Sequence, residues 1–263
     1  MYKFGFIGTG NMGSALAKAV CKKTGNENII LYDKNEEKSS ALAFELGCKK
    51  GELADILQQS EYIFLGVKPQ MLDEISGEIK NISFDNVPVI ITMLAGTEIA
   101  KINSKIGDKF PVIRIMPNIA CSVGKATTLV AKNDLVSGNQ LDYFLDAMEY
   151  SGTVDLIAEK LIDAASALSG CGPAYAFMMI EALADGAVDC GIPRDKAYLY
   201  AASVLEGSAK LFSESNLSIS QLKDAVCSPG GTTIEGVRAL EMGGFRSAVM
   251  EAVIAAYNKT KEL

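Results

Sequence analysis

The stretch YKFGFIGTGNMG, positions 2–13, decides the fold of this chain. Its first six residues form a short, mostly apolar run, and Met12, Leu16, Ala19 and Val20 then follow at helical spacing. Three glycines separate the two segments. A strand, a tight turn and a helix in this order predict an α/β domain that begins at the start of the sequence.

The same alternation continues through the first half of the chain. Further strands are predicted at 28–32, 62–67, 89–92 and 112–116, and helices at 36–46 and 97–106. Strands separated by helix-length segments favour parallel pairing with right-handed crossovers, because a tight turn cannot reach a parallel partner. A Rossmann-type doubly wound parallel sheet is therefore expected. A capping box at Ser137 and Gln140 predicts a helix to Tyr150, and 152–156 predicts one more strand.

The pattern changes near residue 158, after which only helical signals remain. We predict two domains, a dinucleotide-binding domain at 1–157 and an all-helical domain at 158–263. The helical segment 174–190 has apolar residues around most of its circumference, which favours a partner subunit over solvent. Glu181, Asp185 and Asp189 share one stripe of that segment, and we interpret the stripe as a solvated face rather than a metal or substrate site.

Composition excludes several classes of function. The 25 basic and 32 acidic residues give a net charge of −7, which argues against a nucleic-acid partner. The chain has no His, so hydrolases with a catalytic His, His-ligated zinc and a His general base are excluded, and no metal is expected. The chemistry must use other groups.

Six cysteines without a CxxC pair are expected to be reduced, and no leader precedes the first predicted strand. We therefore expect a cytoplasmic protein. The uncharged stretch 164–180 contains glycines and a proline, so burial within protein is expected in place of a membrane span.

The glycine turn carries the first functional prediction. Gly8 would make the tight turn, Gly10 would let the backbone approach a pyrophosphate, and Gly13 would let helix and strand pack closely. Thr9, Asn11 and Met12 complete the motif. The phosphates of a dinucleotide would lie at the helix N-terminus; the alternative is a glycine turn chosen for packing alone.

The second predicted strand ends at Asp33, whose carboxylate could accept a hydrogen bond from a ribose 2′-hydroxyl. This favours NADH slightly. Lys34 and Lys38 could instead neutralise a 2′-phosphate, so NADH and NADPH both stay open.

Three segments follow the ends of later strands, at the edge where an open α/β sheet binds ligands. The first contains Val67, Lys68 and Pro69, the second Ala95, and the third Asn118. They are expected to meet at the nicotinamide end of the cofactor. A surface lysine is the alternative for Lys68.

In the helical part, the turn SPGGTT at 228–233 places consecutive backbone N–H groups at a helix start. Such a turn is suited to a carboxylate, although an ordinary glycine linker is the alternative.

Motifs along the whole chain resemble those of pyrroline-5-carboxylate reductases. They are GFIGTGNMG, VKPQ, RIMPN, SGCGPAYAF and LKDAVCSPGGTTIEGVRALE, followed by GGFR. The helical-domain motifs are the more specific ones, since unrelated dehydrogenases share the glycine fingerprint.

The resemblance implies reduction of L-1-pyrroline-5-carboxylate to L-proline by NADH or NADPH, the last step of proline biosynthesis. It implies a homo-oligomer built from dimers, up to a decamer, with the active site between a nucleotide domain and the helical domains of the dimer. The glycine turn, Val67, Lys68 and Ala95 would contact the cofactor. Ser228, Gly230, Gly231 and Thr232 would bind the substrate, and the Thr233 hydroxyl would meet its ring nitrogen as the catalytic group.

The sequence departs from the family pattern twice. Cys171 replaces a usual serine, and Ile119-Ala120 replaces Thr-Pro. Both changes leave the reaction assignment in place and put local substrate contacts in doubt. Two other functions stay open, a hydroxyacid dehydrogenase of the same two-domain plan and a non-catalytic nucleotide sensor.

Overall fold

A computed structural model of the chain describes residues 1–67 and 71–262. It divides into two compact units. Unit 1 comprises Met1–Cys171 together with Tyr257–Leu263, and unit 2 comprises Gly172–Ala256.

Unit 1 is built on a single mixed sheet. Its described strands are β1 (Tyr2–Ile7), β2 (Ile29–Tyr32), β3 (Lys49–Lys50), β4 (Ser60–Leu65), β5 (Val89–Thr92), β6 (Val112–Met116), β7 (Ala126–Lys132) and β8 (Gly152–Leu156).

Helices cover this sheet and form unit 2. Those of unit 1 are α1 (Asn11–Thr24), α2 (Glu36–Leu46), α3 (Leu53–Gln59), α4 (Leu72–Asn81), α5 (Ile99–Ile106), α6 (Gly138–Ala147) and α7 (Ile162–Ser169). Those of unit 2 are α8 (Gly172–Asp189), α9 (Arg194–Glu214), α10 (Ile219–Ala225), α11 (Thr232–Met242) and α12 (Phe245–Thr260), of which α12 extends into the segment assigned to unit 1.

The strand order is β3-β2-β1-β4-β5-β6-β7-β8, which confirms the predicted doubly wound arrangement. The strand order reverses at β1, since β2 and β3 lie on one side of it and β4 and the later strands on the other. Both β2 and β4 pair with β1 in parallel. The carboxyl ends of these strands meet at one edge, where the connecting loops form a crevice.

One pair of strands departs from the predicted parallel sheet. Strand β7 runs antiparallel to β6, with Arg114 opposite Ala131, and β8 is parallel to β7. The sequence analysis did not identify β7, β3, α3 or α4. The predicted strand at 62–67 lies two residues earlier, and the helix predicted to reach Tyr150 ends at Ala147. The remaining predicted strands and helices are present, and the capping box at Ser137 and Gln140 is formed.

Apolar side chains fill both faces of the sheet. Phe4 and Phe6 of β1 pack on one face, where the Phe6 ring stacks on Phe64 with centroids 4.4 Å apart. Ile7 and Ile63 belong to the cluster on the other face. Because helices cover both faces, the strands are almost continuously apolar, as parallel strands usually are.

Unit 2 has a small core. Ala184 of α8 packs with Ala197 and Ala201 of α9, and few other side chains of the unit are buried. Large apolar side chains remain exposed on its helices, among them Phe177 (63%), Met178 (68%), Leu199 (66%) and Met250 (63%). The acidic stripe on α8 is exposed, and its Asp185 pairs with Arg194.

The helical stretch Glu159–Asp189 is long and apolar enough to cross a membrane by length and composition, with a mean hydropathy of 1.2 in an 18-residue window. Only 11% of that window is buried within the chain. One copy of the chain therefore does not provide the burial inside protein that was expected for this stretch.

Candidate active site

The three glycines of the first turn differ in their steric surroundings. Gly8 has a φ of +98°, and a Cβ there would lie 2.3 Å from the Gly66 carbonyl oxygen. A Cβ on Gly13 would lie 2.1 Å from the Gly8 carbonyl oxygen, so only glycine allows this contact between helix and turn. A Cβ on Gly10 would meet nothing within 4 Å.

Gly10 is also the N-cap residue of α1, and no side chain caps this helix end. The first N–H groups of the 14-residue helix are therefore available to an external acceptor. Together with the helix dipole, they make this end suited to a phosphate. Asn11, the first residue of α1, is exposed, and Met12 is half-buried.

Asp33 lies directly after β2 and contacts the glycine turn. Its Oδ2 accepts hydrogen bonds from the Thr9 backbone N–H at 2.6 Å and from the Thr9 hydroxyl at 3.0 Å. Its Oδ1 accepts from the Asn35 backbone N–H at 2.9 Å. The carboxylate thus fixes the turn, a role that sequence reasoning did not assign to it.

Lys34 does not extend freely towards the crevice. Its ammonium group pairs with Glu74 of α4, a residue that the sequence analysis did not consider. Both residues line the same cavity. No pattern in the sequence links positions 34 and 74, so only the fold identifies the pair.

A cavity of about 460 Å³ at the carboxyl edge of the sheet brings several predicted residues together. The glycine turn, Asp33 and Lys34 form one part of its lining, and Val67, Met93, Met116 and Pro117 form another. A larger cavity of about 720 Å³ lies at the opposite edge, beside Gln59 and Phe84, and contains none of the predicted site residues.

The structure places the remaining predicted residues of the carboxyl edge in different surroundings. Lys68 and Pro69 lie outside the described residues. Ala95 is exposed in the loop after β5. Asn118 uses its side chain within the protein, because Nδ2 donates to the Ser169 carbonyl at 2.9 Å and Oδ1 accepts from the Ala120 N–H at 3.1 Å.

The turn before α11 lies in unit 2 and is open to solvent. Gly230 has a φ of +69°, and Gly231 is the N-cap residue of α11, again without a side-chain cap. A Cβ on Gly231 would lie 2.2 Å from the Ser228 Oγ. The side chains of Thr232 and Thr233 are exposed at the first two positions of the helix.

Cys171 and Ile119, at the two departures from the family pattern, are both exposed. The Cys171 N–H donates to the Ser166 carbonyl at 3.3 Å, and the thiol is exposed. Ile119 is 61% exposed after Asn118.

A curated relative from Escherichia coli, named pyrroline-5-carboxylate reductase, is 38% identical over 99% of this chain and 98% of its own length. The chain belongs to the pyrroline-5-carboxylate reductase family. The family description "Pyrroline-5-carboxylate reductase dimerisation" matches residues 159–263, and "NADP oxidoreductase coenzyme F420-dependent" matches residues 3–96.

Solved pyrroline-5-carboxylate reductases have the same fold as this family member. The enzyme from Streptococcus pyogenes is 34% identical, with a TM-score of 0.87 over 99% of this chain and 98% of its own. The pyrroline carboxylate reductase from Plasmodium falciparum, solved with NADP bound, is 30% identical, with a TM-score of 0.86 over 99% and 97%.

These relationships confirm the predicted family and the predicted fold class. They also confirm the predicted activity, that of a pyrroline-5-carboxylate reductase, which is an NAD(P)H-dependent oxidoreductase. They also support a homo-oligomer through the dimerisation domain. The assignment of individual residues within the site stays a prediction.

Proposed function

We propose that the protein reduces the cyclic imine L-1-pyrroline-5-carboxylate to L-proline, with its own glycine turn holding NADH or NADPH. The observation that carries the proposal is the uncapped start of α1, which Gly10 leaves open beside a cavity at the carboxyl edge of the sheet. Membership of the reductase family supplies the substrate.

The residues at this edge fit a dinucleotide. The pyrophosphate would be surrounded by the glycine turn, which comprises Gly8, Thr9, Gly10, Asn11, Met12 and Gly13. Asp33 would bind the adenosine ribose. Val67, Lys68, Pro69, Ala95 and Asn118 would line the nicotinamide end, with Asn118 contributing backbone because its side chain is engaged. The reduced nicotinamide supplies the hydride when it is bound.

Asp33 favours NADH in this arrangement. Its two oxygens are held by backbone N–H groups, so the carboxylate has little freedom to turn away from a ribose at the end of β2. The first turn of α2 adds Glu36 and Glu37, and the Lys34 charge is partly neutralised by Glu74. A 2′-phosphate would therefore meet negative charge.

The turn before α11 would bind the substrate carboxylate. Gly230 and Thr232 would present backbone N–H groups at the helix start. The Gly231 N–H donates to the Ser228 carbonyl at 3.0 Å, so Gly231 and Ser228 would border the substrate and hold the turn in shape. No side chain caps this helix end, so its positive dipole is available to an anion.

Thr233 would place its hydroxyl at the ring nitrogen of the substrate. An imine nitrogen is already protonated to a useful extent near neutral pH, so a hydride delivered to the imine carbon, which becomes C5 of proline, completes the amine without a strong acid. This agrees with a chain that has no His. Catalysis would then rest on orientation, which contributes up to roughly 7–11 kcal/mol when the reacting atoms are held in near-attack geometry.

The assembly is proposed to be at least a dimer through the exposed apolar helices of unit 2, with a decamer as the larger state. The partners would be the imine acid, proline and further copies of the chain, without nucleic acid or membrane. We propose the cytoplasm as the location, where six free thiols would stay reduced.

The decisive experiment measures NADH and NADPH oxidation by the purified protein with pyrroline-5-carboxylate, beside a panel of 2-oxo and 3-oxo acids. Turnover of the imine alone is expected, with proline as product. Turnover of an oxo acid in its place would identify a hydroxyacid dehydrogenase. Cofactor binding without oxidation would identify a sensor, and either result would overturn the proposal.

A further inference from the structure

Arg114 is a charged side chain inside the core of unit 1. It lies in β6 between Thr92 of β5 and Ala131 of β7, and it is 1% exposed. Val112 of β6 and Ile162 of α7 belong to one apolar cluster and are fully buried. A charge at such a position is costly unless partners compensate it.

Two carboxylates compensate the guanidinium. Arg114 Nη2 donates to Asp163 Oδ1 at 2.7 Å, and Nη1 donates to Glu159 Oε1 at 3.4 Å. Asp163 lies in the first turn of α7, and Glu159 lies in the 3₁₀ turn that precedes it. Arg114 therefore fixes the start of α7 against the middle of β6.

Glu159 extends the same network to a third segment. Its Oε1 also accepts a hydrogen bond from the Ile99 backbone N–H at 2.7 Å, at the first residue of α5. This helix follows the loop 93–98 after β5, which contains Ala95. Glu159 Oε1 thus links Arg114 to the start of α5, the helix that follows this loop.

The other end of α7 is held as well. Asn118, four residues after Arg114, donates to the Ser169 carbonyl at the last residue of α7. Both ends of α7 are consequently attached to β6 or to the segment that directly follows it. The residues after α7 lead into unit 2.

We infer that Arg114 is a positioning residue for hydride transfer, which holds the loop after β5 and the segment after β6 in register at the nicotinamide end of the cofactor site. This inference rests on the proposed cofactor site. Arg114 touches neither the glycine turn nor Asp33 in any described contact, so the adenosine end is expected to be independent of it.

The guanidinium shape matters for this role. Its planar fork directs separate N–H groups at Asp163 and Glu159 at once, whereas a lysine ammonium would act as one point charge on a flexible stem. Arg114→Lys therefore keeps the charge and loses the bridge. This makes it the most informative substitution at the position.

The test compares binding of NADH with binding of ADP-ribose, which lacks the nicotinamide, in the full-length protein. Because the chain contains no Trp, NADH fluorescence can be followed without a Trp background, and ADP-ribose can be measured by competition. For Arg114→Lys we expect kcat to fall at least tenfold per folded molecule, and ADP-ribose affinity to stay within twofold of wild type. Arg194→Lys, which alters an exposed ion pair in unit 2, is the matched control and is expected to change neither value.

Equal weakening of NADH and ADP-ribose, or an unchanged kcat, would show a general structural role and overturn the inference. If Arg114→Lys does not fold, Glu159→Gln decides the question, since its amide oxygen can still accept from Ile99 while its charge is lost. For Glu159→Gln we expect a smaller fall in kcat than for Arg114→Lys, again with ADP-ribose affinity within twofold of wild type. A wild-type protein that binds NADH without reducing the imine would refute the proposed function, and the comparison of the two ligands would still report on the nicotinamide end.

Discussion

The Asp33 carboxylate binds Thr9 twice, through the backbone N–H at 2.6 Å and through the hydroxyl at 3.0 Å. The end of β2 therefore fixes the second residue of the glycine turn. Asp33 has two separable roles, since it shapes the turn as a hydrogen-bond acceptor and acts on the cofactor as a negative charge.

Asp33→Asn is expected to change the cofactor preference. The amide oxygen can still accept from Thr9, while the NH2 group that replaces the other oxygen cannot accept from the Asn35 N–H. The charge that disfavours a 2′-phosphate is lost. We expect the ratio of kcat/KM for NADPH to that for NADH to rise about tenfold, equivalent to about 1.4 kcal/mol. Thr9→Val removes only the hydroxyl contact and should weaken both cofactors equally. A preference that stays unchanged in Asp33→Asn would remove the charge of Asp33 from the discrimination.

Gly10 and Gly13 are expected to respond in opposite ways to alanine. Gly10→Ala adds a methyl group into open space, at a φ of −65° that alanine adopts readily. The protein should fold with equal or slightly greater stability and lose cofactor affinity. Gly13→Ala forces a Cβ towards the Gly8 carbonyl and should destabilise the fold by about 1–3 kcal/mol. Thermal unfolding and NADH titration of both variants check this contrast; tight NADH binding by Gly10→Ala would contradict it.

Thr233→Ala is expected to lower kcat/KM for the imine while leaving NADH affinity close to wild type. The reason is that the hydroxyl meets the substrate nitrogen and not the cofactor in the proposed site. Thr233→Ser keeps the hydroxyl and should restore most of the activity. Steady-state kinetics with both substrates varied separate these effects. Full turnover by the alanine variant would exclude a role for this hydroxyl.

Leu199→Lys is expected to weaken the dimer. Leu199 is 66% exposed on α9, and a lysine at an apolar subunit interface would bury an unpaired charge. Phe44→Lys is the control, because Phe44 is 92% exposed in unit 1, outside the part matched by the dimerisation family. Light scattering across a dilution series should show dissociation only for Leu199→Lys. A wild-type protein that is monomeric at all concentrations would contradict the proposed assembly.

Cys121 is expected to make the stability of the protein fall at alkaline pH. Burial raises the pKa of its thiol from the usual 9.0 to about 11. Between these values the unfolded chain loses a proton that the folded chain keeps, so the unfolding free energy decreases as the pH rises, by about 1.4 kcal/mol per pH unit at most. Below pH 9 the thiol is protonated in both the folded and the unfolded chain, so it does not make the unfolding free energy depend on pH.

Replacing Cys121 by Ala should make this decline between pH 9 and 11 shallower than in wild type. Cys190→Ala, at an exposed position, serves as the control and should keep the wild-type slope. Urea unfolding at a series of pH values gives both slopes. Identical slopes for wild type and Cys121→Ala would show that the buried thiol ionises in the folded protein as easily as in the unfolded one.

The sequence determined the features that depend on neighbours along the chain. The spacing of Gly8, Gly10 and Gly13 between an apolar run and a helical pattern predicted the turn, and the structure shows a steric reason for the first and third glycine. The capping box at Ser137 and Gln140 was predictable for the same reason, since it joins residues three positions apart. The excess of apolar positions on the helical segments also indicated a partner subunit, because their periodicity leaves too narrow a polar face for a helix in water.

Only the tertiary structure decided which distant residues meet. The direction of β7 depends on how the chain returns to the sheet after β6, and no local pattern encodes that return. Arg114 is one charge in an apolar strand, and its partners lie 45 and 49 positions away. Thr9 and Asp33 are 24 positions apart, and their hydrogen bonds form only when β1 and β2 pair in register. Periodicity and turn chemistry act over a few residues, whereas a buried ion pair is selected by the packing of the whole unit.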